Sequence, residues 1–204
     1  MKVLLKIFAT ALLCQTFIGC ATSDFMDGEN TNDATVMVKV SSEMGQMEFW
    51  QQCAAISADF GSRAEMNDYT CKEMLKPLIN DGAALQRQIV LDISDKPELL
   101  DEKQFYMSLS DDELATLSML YHVLSDDGVD IDKLNEDIDG LRISRERLLA
   151  CLEFAVGIIE LKELTVRGVV NAVTIRKALS AIGRRYIGYV GVALMIYDFM
   201  DCVG

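Results

Sequence analysis

Twelve consecutive residues, Tyr186 to Tyr197, carry no charge, and Asp198 closes the run. A stretch of this kind needs cover from protein or from lipid. A standing transmembrane helix requires about 20 apolar residues, and this run falls short. The earlier apolar run, Leu148 to Leu161, is also short and contains Glu153 and Glu160. The expected resting state is therefore burial inside a helical package. Entry into a membrane would need a trigger, association, or an interfacial pose that sets Arg176, Lys177, Arg184 and Arg185 against anionic head groups.

Charge divides the chain at the same place. From Gly140 onward there are nine Lys/Arg against six Asp/Glu, whereas Cys20 to Asp139 holds eight against twenty-six. This asymmetry points toward a membrane or protein partner. The net charge of −13 argues against nucleic acid, since such a chain repels phosphate. Half of the residues are hydrophobic and only two are Pro, so a single, mainly α-helical domain is the expected class. No G-x-S-x-G, H-E-x-x-H, P-loop or dinucleotide fingerprint occurs. The one histidine, His122, has no Ser or Cys motif beside it and reads as structural, because catalysis needs a positioned partner. No enzyme chemistry and no cofactor are expected.

The first residues read as targeting. Met1 to Lys6 supplies a short positive region, Ile7 to Leu13 an apolar one, and Phe17-Ile18-Gly19-Cys20 resembles a bacterial lipobox. That places a lipoprotein signal peptide at 1–19, a lipidated Cys20, a polar tether over 20–41 and a helical domain over 42–204. The domain divides into an acidic half, 42–139, and an apolar, basic half, 140–204. The early acidic run from Ser23 to Glu29 resembles the surface-export tether of Bacteroidetes lipoproteins. Export would leave Cys53, Cys71, Cys151 and Cys202, and an even number suggests two disulfides. Three pairings are open; the local ones, Cys53–Cys71 and Cys151–Cys202, are the expectation.

Along the domain, Val36, Val38 and Val40 alternate like a short strand without an obvious partner. Helical spacing begins near Ser42 and continues through Phe49, Trp50, Cys53, Ile56 and Phe60. Asn67 or Asp68 caps a second helix, expected to stop near Lys76-Pro77. Asp81-Gly82 reads as a turn before a helix from Ala83 to Ile93, which Asp95-Lys96-Pro97 ends. Ser110-Asp111-Asp112-Glu113 is a capping box for a helix to about Leu124. Another helix starts near Ser144. Val166, Val169, Val170 and Val173 suit a strand as well as a helix, and Asn171 to Ile182 fits a helix ended by Gly183. The C-terminal helices are expected to form the core and the acidic helices to cover it.

Two segments invite sharper readings. Asn135, Asp137, Asp139 and Glu146, with Gly140 at the turn, resemble an EF-hand calcium loop. Asn at the first position and Arg142 at the usual aliphatic eighth favour a solvated acidic loop instead. At the seam, Arg142, Arg145 and Arg147 would be open to arginine-directed cleavage if exposed; helix-start surface charge is the plainer account. Lipobox, acidic tether, Arg seam and Gly-rich apolar end together resemble, by layout, the Bacteroidales lipoprotein bacteriocins. The resemblance implies a lipid-anchored, surface-exposed or secreted antibacterial toxin, activated by an arginine-specific protease and acting on the target-cell envelope. Tyr186, Gly188, Gly191 and Met195 would belong to its membrane-active portion. The other expectation is a non-catalytic outer-membrane lipoprotein that binds a protein partner.

Overall fold

A computed structural model describes residues 37–62, 66–124, 144–156, 165–166 and 169–204. Among them are seven α-helices and three very short strands, and the protein is mainly α. The elements are β1 (Met37–Val38), α1 (Gln46–Ser62), α2 (Asp68–Ile93), a 3-10 turn (Pro97–Leu99), α3 (Leu100–Met107), α4 (Asp111–Leu124), α5 (Arg145–Val156), β2 (Thr165–Val166), β3 (Val169–Asn171), α6 (Ala172–Arg185) and α7 (Gly188–Val203). Thr35–Gly204 makes up one compact unit.

The most deeply buried helix is α4. Every residue from Leu114 to Leu124 is buried, and α2, α5, α6 and α7 surround it. The C-terminal helices are in the core as expected, but they share it: the expectation that the acidic half serves only as cover is corrected by this helix. The acid of α4 is confined to its first turn, Asp111 to Glu113, where it meets the positive end of the helix dipole. Beyond that turn the helix has no Asp, Glu, Lys or Arg and can be enclosed on all sides. The capping box forms in part. The Ser110 N–H donates to Glu113 Oε2 at 2.8 Å, while the Ser110 hydroxyl turns to the Asp112 and Glu113 carboxylates.

Helix α2 runs unbroken for 26 residues, through Pro77 and through Asp81-Gly82. The expected stop at Pro77 and turn at Gly82 are both overturned. Asn67 does cap the helix, accepting from the Thr70 N–H at 3.0 Å. An interior proline removes one ladder bond and costs roughly 3 kcal/mol. Leu75, Leu78, Leu85, Ile89 and Ile93 form a continuous buried stripe across the site, and burying each side chain returns about 1.5–3 kcal/mol. Gly82 is present for closeness: a Cβ there would stand 1.9 Å from the Leu114 carbonyl oxygen of α4.

The alternating valines find their partner in the second valine cluster. β1 pairs antiparallel with β3, Val38 against Val170 and Met37 against Asn171, and β2 closes the other edge. Val38 and Val40 are buried. The tether expected to reach residue 41 therefore gives way to the packed body by Met37. Helix α6 starts at Ala172, where Asn171 Oδ1 accepts from the Val173 N–H. It continues past Gly183 to Arg185, so Gly183 does not end it.

Helix α7 is walled mainly by α1, with α2, α4 and α5 completing the enclosure. Trp50 stacks on Phe199 at 5.9 Å between ring centroids, and Phe60 meets Tyr197 at 5.4 Å. The inner face of the charge-free run, Val192, Ala193, Met195 and Ile196, is thus covered by a helix of the acidic half, while Ile187 and Leu194 stay exposed.

Cys151 and Cys202 are joined by a disulfide that ties α5 to α7. Cys53 and Cys71 are not bridged. Both are fully buried, on helices that meet only sparsely, since α1 packs chiefly on α7. They serve as small apolar core residues, and burial raises the Cys53 thiol pKa far above its ordinary value. The Cys151–Cys202 link spans 51 residues. A loop of that size constrains the unfolded chain by about 4 kcal/mol in the chain-entropy account. Reduction should lower the thermal midpoint markedly; an unchanged midpoint under a reductant that demonstrably opens the bridge would contradict the assignment.

Candidate functional site

Among the described residues, a buried polar cluster lies where α2, α4 and the segment before α1 meet. Asp81 is buried, and its carboxylate gathers four donors. Ser42 Oγ lies 2.5 Å from Oδ1, the Met44 N–H donates to Oδ1 at 3.3 Å, and Ser118 Oγ and His122 Nε2 lie 2.7 and 3.1 Å from Oδ2. Burial alone pushes the Asp81 carboxyl up. The hydrogen bonds from His122, Ser42 and Ser118 outweigh it and hold the group below its ordinary value.

Ser, His and Asp side chains in contact raise the question of a nucleophile. In a working triad the two imidazole nitrogens are divided, one donating to the carboxylate and the other accepting from the hydroxyl. Here Nε2 faces both Ser42 Oγ, at 3.0 Å, and Asp81 Oδ2. A nitrogen that donates its proton to Asp81 cannot take one from Ser42. Nδ1 is buried without a hydrogen-bond partner, and the ring stacks on Phe49 at 4.4 Å. The arrangement is suited to tying three segments together around one anion.

Above it opens a cleft of about 470 Å³, walled by Glu43, Met44, Glu48, Glu73, Lys76 and Asn80. Its charge is mostly negative, with Lys76 lying 3.8 Å from Glu73. Among the described residues no group of three or more His, Cys, Asp or Glu side chains could hold a metal ion. The calcium reading falls largely outside them: Asn135, Asp137 and Asp139 are not among the described residues, and Glu146 is exposed in the first turn of α5.

The sequence hides this hub, because Pro77 and Asp81-Gly82 carry the local marks of a helix stop and a turn. On an unbroken helix Asp81 falls in register with Leu75, Leu78, Leu85 and Ile89, and an acid on an apolar stripe signals a buried, multiply bonded carboxylate.

A second set of polar contacts surrounds the C-terminal helices. No single helix among the described residues is long and apolar enough to cross a membrane. Ile175–Arg185 and Gly188–Val203 pass that test only as a pair, bent by 105°. Helix α6 is amphipathic, with Ile175, Ala178, Leu179 and Ile182 inward and Lys177 and Arg184 outward. The four residues expected to be membrane-active all have internal roles. Met195 is fully buried. Tyr186 is buried and bonds through its hydroxyl to the Ala155 carbonyl. Gly188 has φ +75° and begins α7. At Gly191 a Cβ would stand 2.8 Å from the Tyr186 carbonyl carbon, so the close approach this glycine allows is to its own chain.

Of the arginine seam, Arg147 is exposed but lies in a helix. Arg142 lies outside the described residues, and Arg145 and Arg147 lie in the first turn of α5. Ser144 Oγ accepts from the Arg147 N–H. The Arg147 guanidinium donates from Nε and Nη2 to the Cys202 carbonyl at 3.2 and 2.8 Å, covering the C-terminal end of α7. Proteases take extended backbone, so cutting at Arg145 or Arg147 requires this turn to unwind first. No protein-family model, curated protein or solved structure matches the chain.

Proposed function

We propose that the chain is an exported lipoprotein, anchored through Cys20, that acts as a bacteriocin-like antibacterial toxin. Its soluble body stores the α6–α7 pair and delivers it to a competitor's envelope after cleavage near Arg142–Arg147. One observation carries the reading. The apolar face of α7, including Val192, Met195, Ile196 and Phe199, is sealed under α1, while α6 keeps Lys177, Arg184 and Arg185 outward. Transferring that face from a protein core to lipid loses little hydrophobic free energy, because both exclude water. Basic residues at an anionic surface add attraction. The disulfide lies within the C-terminal fragment and does not tether it to the acidic half. Core packing does, so a cut protein stays assembled until it meets a membrane.

The test uses purified protein, whole or cut by an arginine-specific protease, with dye-loaded vesicles of anionic or zwitterionic lipid. Leakage is expected from cut protein on anionic vesicles. If neither form releases dye or inhibits a related strain, the toxin reading is wrong. The depth to which α7 is built into the body favours a second reading, a non-catalytic outer-membrane lipoprotein that binds a protein partner. That role predicts co-purification of a partner from the envelope with the chain uncut.

A further inference from the structure

The C-terminal pair is fastened to the acidic half by three carboxylates. At the α6–α7 corner, the Gly188 N–H donates to Asp112 Oδ2 at 3.1 Å. Next to it, the Tyr189 hydroxyl donates to Asp111 Oδ2 at 3.3 Å. The same oxygen lies 2.7 Å from Lys72 Nζ, and that ammonium sits 5.1 Å from the centre of the Tyr189 ring. At the other end of α6, Arg176 Nη1 lies 3.1 Å from Glu102 Oε1, with its guanidinium over Phe105. Apart from Lys72, which belongs to the acidic half and shares Asp111, the acidic half supplies the anion and the C-terminal block the donor. These are the groups an anionic bilayer would engage: an arginine, and the positive end of a helix whose first N–H already meets a carboxylate.

Resting on the toxin reading, we infer that Asp111, Asp112 and Glu102 form an electrostatic latch that holds α6–α7 closed, and that the opener is an anionic lipid surface. The phosphates of the bilayer replace the carboxylates at Arg176 and at the α7 N-terminus, and the same surface repels the acids they displace. Protonation is a poor opener at Asp111, where the hydrogen bond from Lys72 holds the carboxyl below its ordinary value. The bent corner at Gly188 is where the latch acts, and Gly188, with its positive φ, is the residue whose torsion could change as the 105° bend opens.

The experiment follows amide exchange in the intact chain. In D111N/D112N, exchange at Gly188 and at Val192–Leu194 should speed at least about tenfold, as expected when two charge-assisted bonds are lost. Exchange at Leu85 in the centre of α2 should stay as in the unmodified protein. E98Q removes an exposed charge from the acidic half without touching Gly188, Tyr189 or the cap of α4, and should leave the corner unchanged. E102Q should loosen the start of α6 in the same way. Anionic vesicles added to the unmodified protein should reproduce the D111N/D112N pattern; zwitterionic vesicles and inorganic phosphate at equal ionic strength should not. Unchanged corner exchange in D111N/D112N, or equal opening by free phosphate, overturns the latch. Faster corner exchange with no dye release from cut protein leaves the latch standing and removes the toxin reading.

Discussion

Replacing Gly82 with alanine should be the most damaging single-methyl addition in the protein. The new Cβ would stand 1.9 Å from the Leu114 oxygen, 2.6 Å from its carbonyl carbon and 3.1 Å from its Cα. All three are backbone atoms, so no side chain can rotate away. α2 and α4 must separate, and theirs is the most extensive helix contact among the described residues. Overpacking a core typically costs about 1–3 kcal/mol and sometimes more; a backbone clash belongs at or above the upper end. The denaturant midpoint should fall accordingly. Gly45→Ala is the control, because nothing lies within 4 Å of its Cβ position, and it should be close to neutral. Equal midpoints for the two variants would show that α2 and α4 do not cross at Gly82.

The second large effect is expected from Asp81→Ala. It leaves the Ser42 and Ser118 hydroxyls, the Met44 N–H and His122 Nε2 without their shared acceptor. Removing one partner of a buried charged network costs roughly 3–5 kcal/mol. The pH dependence has a definite sign. The folded carboxyl titrates below its unfolded value, so its contribution is full above the unfolded pKa, about 3.9. It is lost as pH falls through the lower folded value. Stability measured from pH 6 downward should therefore hold until about pH 4 and then decline. Asp81→Asn should start lower and decline less over that acid window. A parallel decline in the two proteins would show that Asp81 is not held ionised by its neighbours.

Several features were legible in the chain because their causes are local. Asn67 caps α2, Ser110 to Glu113 opens α4 and Ser144 opens α5. Such signals depend on residues three or four apart, the distance over which helix caps and faces operate. The errors share an opposite origin. Pro77 and Gly82 carry the local marks of a stop and a turn, yet packing on α4 runs the helix through both. The pairing of Val38 with Val170 joins two ambiguous segments, neither of which is a strand alone. Cys53 and Cys71 are close in sequence, but their helices touch each other only sparsely.

By itself the sequence determined the helical class, most helix starts and the need to cover Tyr186–Tyr197, since hydrophobic periodicity and capping are properties of short windows. Only the tertiary structure decided that α4 is the enclosed helix, that α1 covers α7, and that Asp81 gathers partners 37 to 41 residues away. The physical reason is range: a backbone approach at Gly82 or a shared carboxylate at Asp81 exists only after distant segments have met.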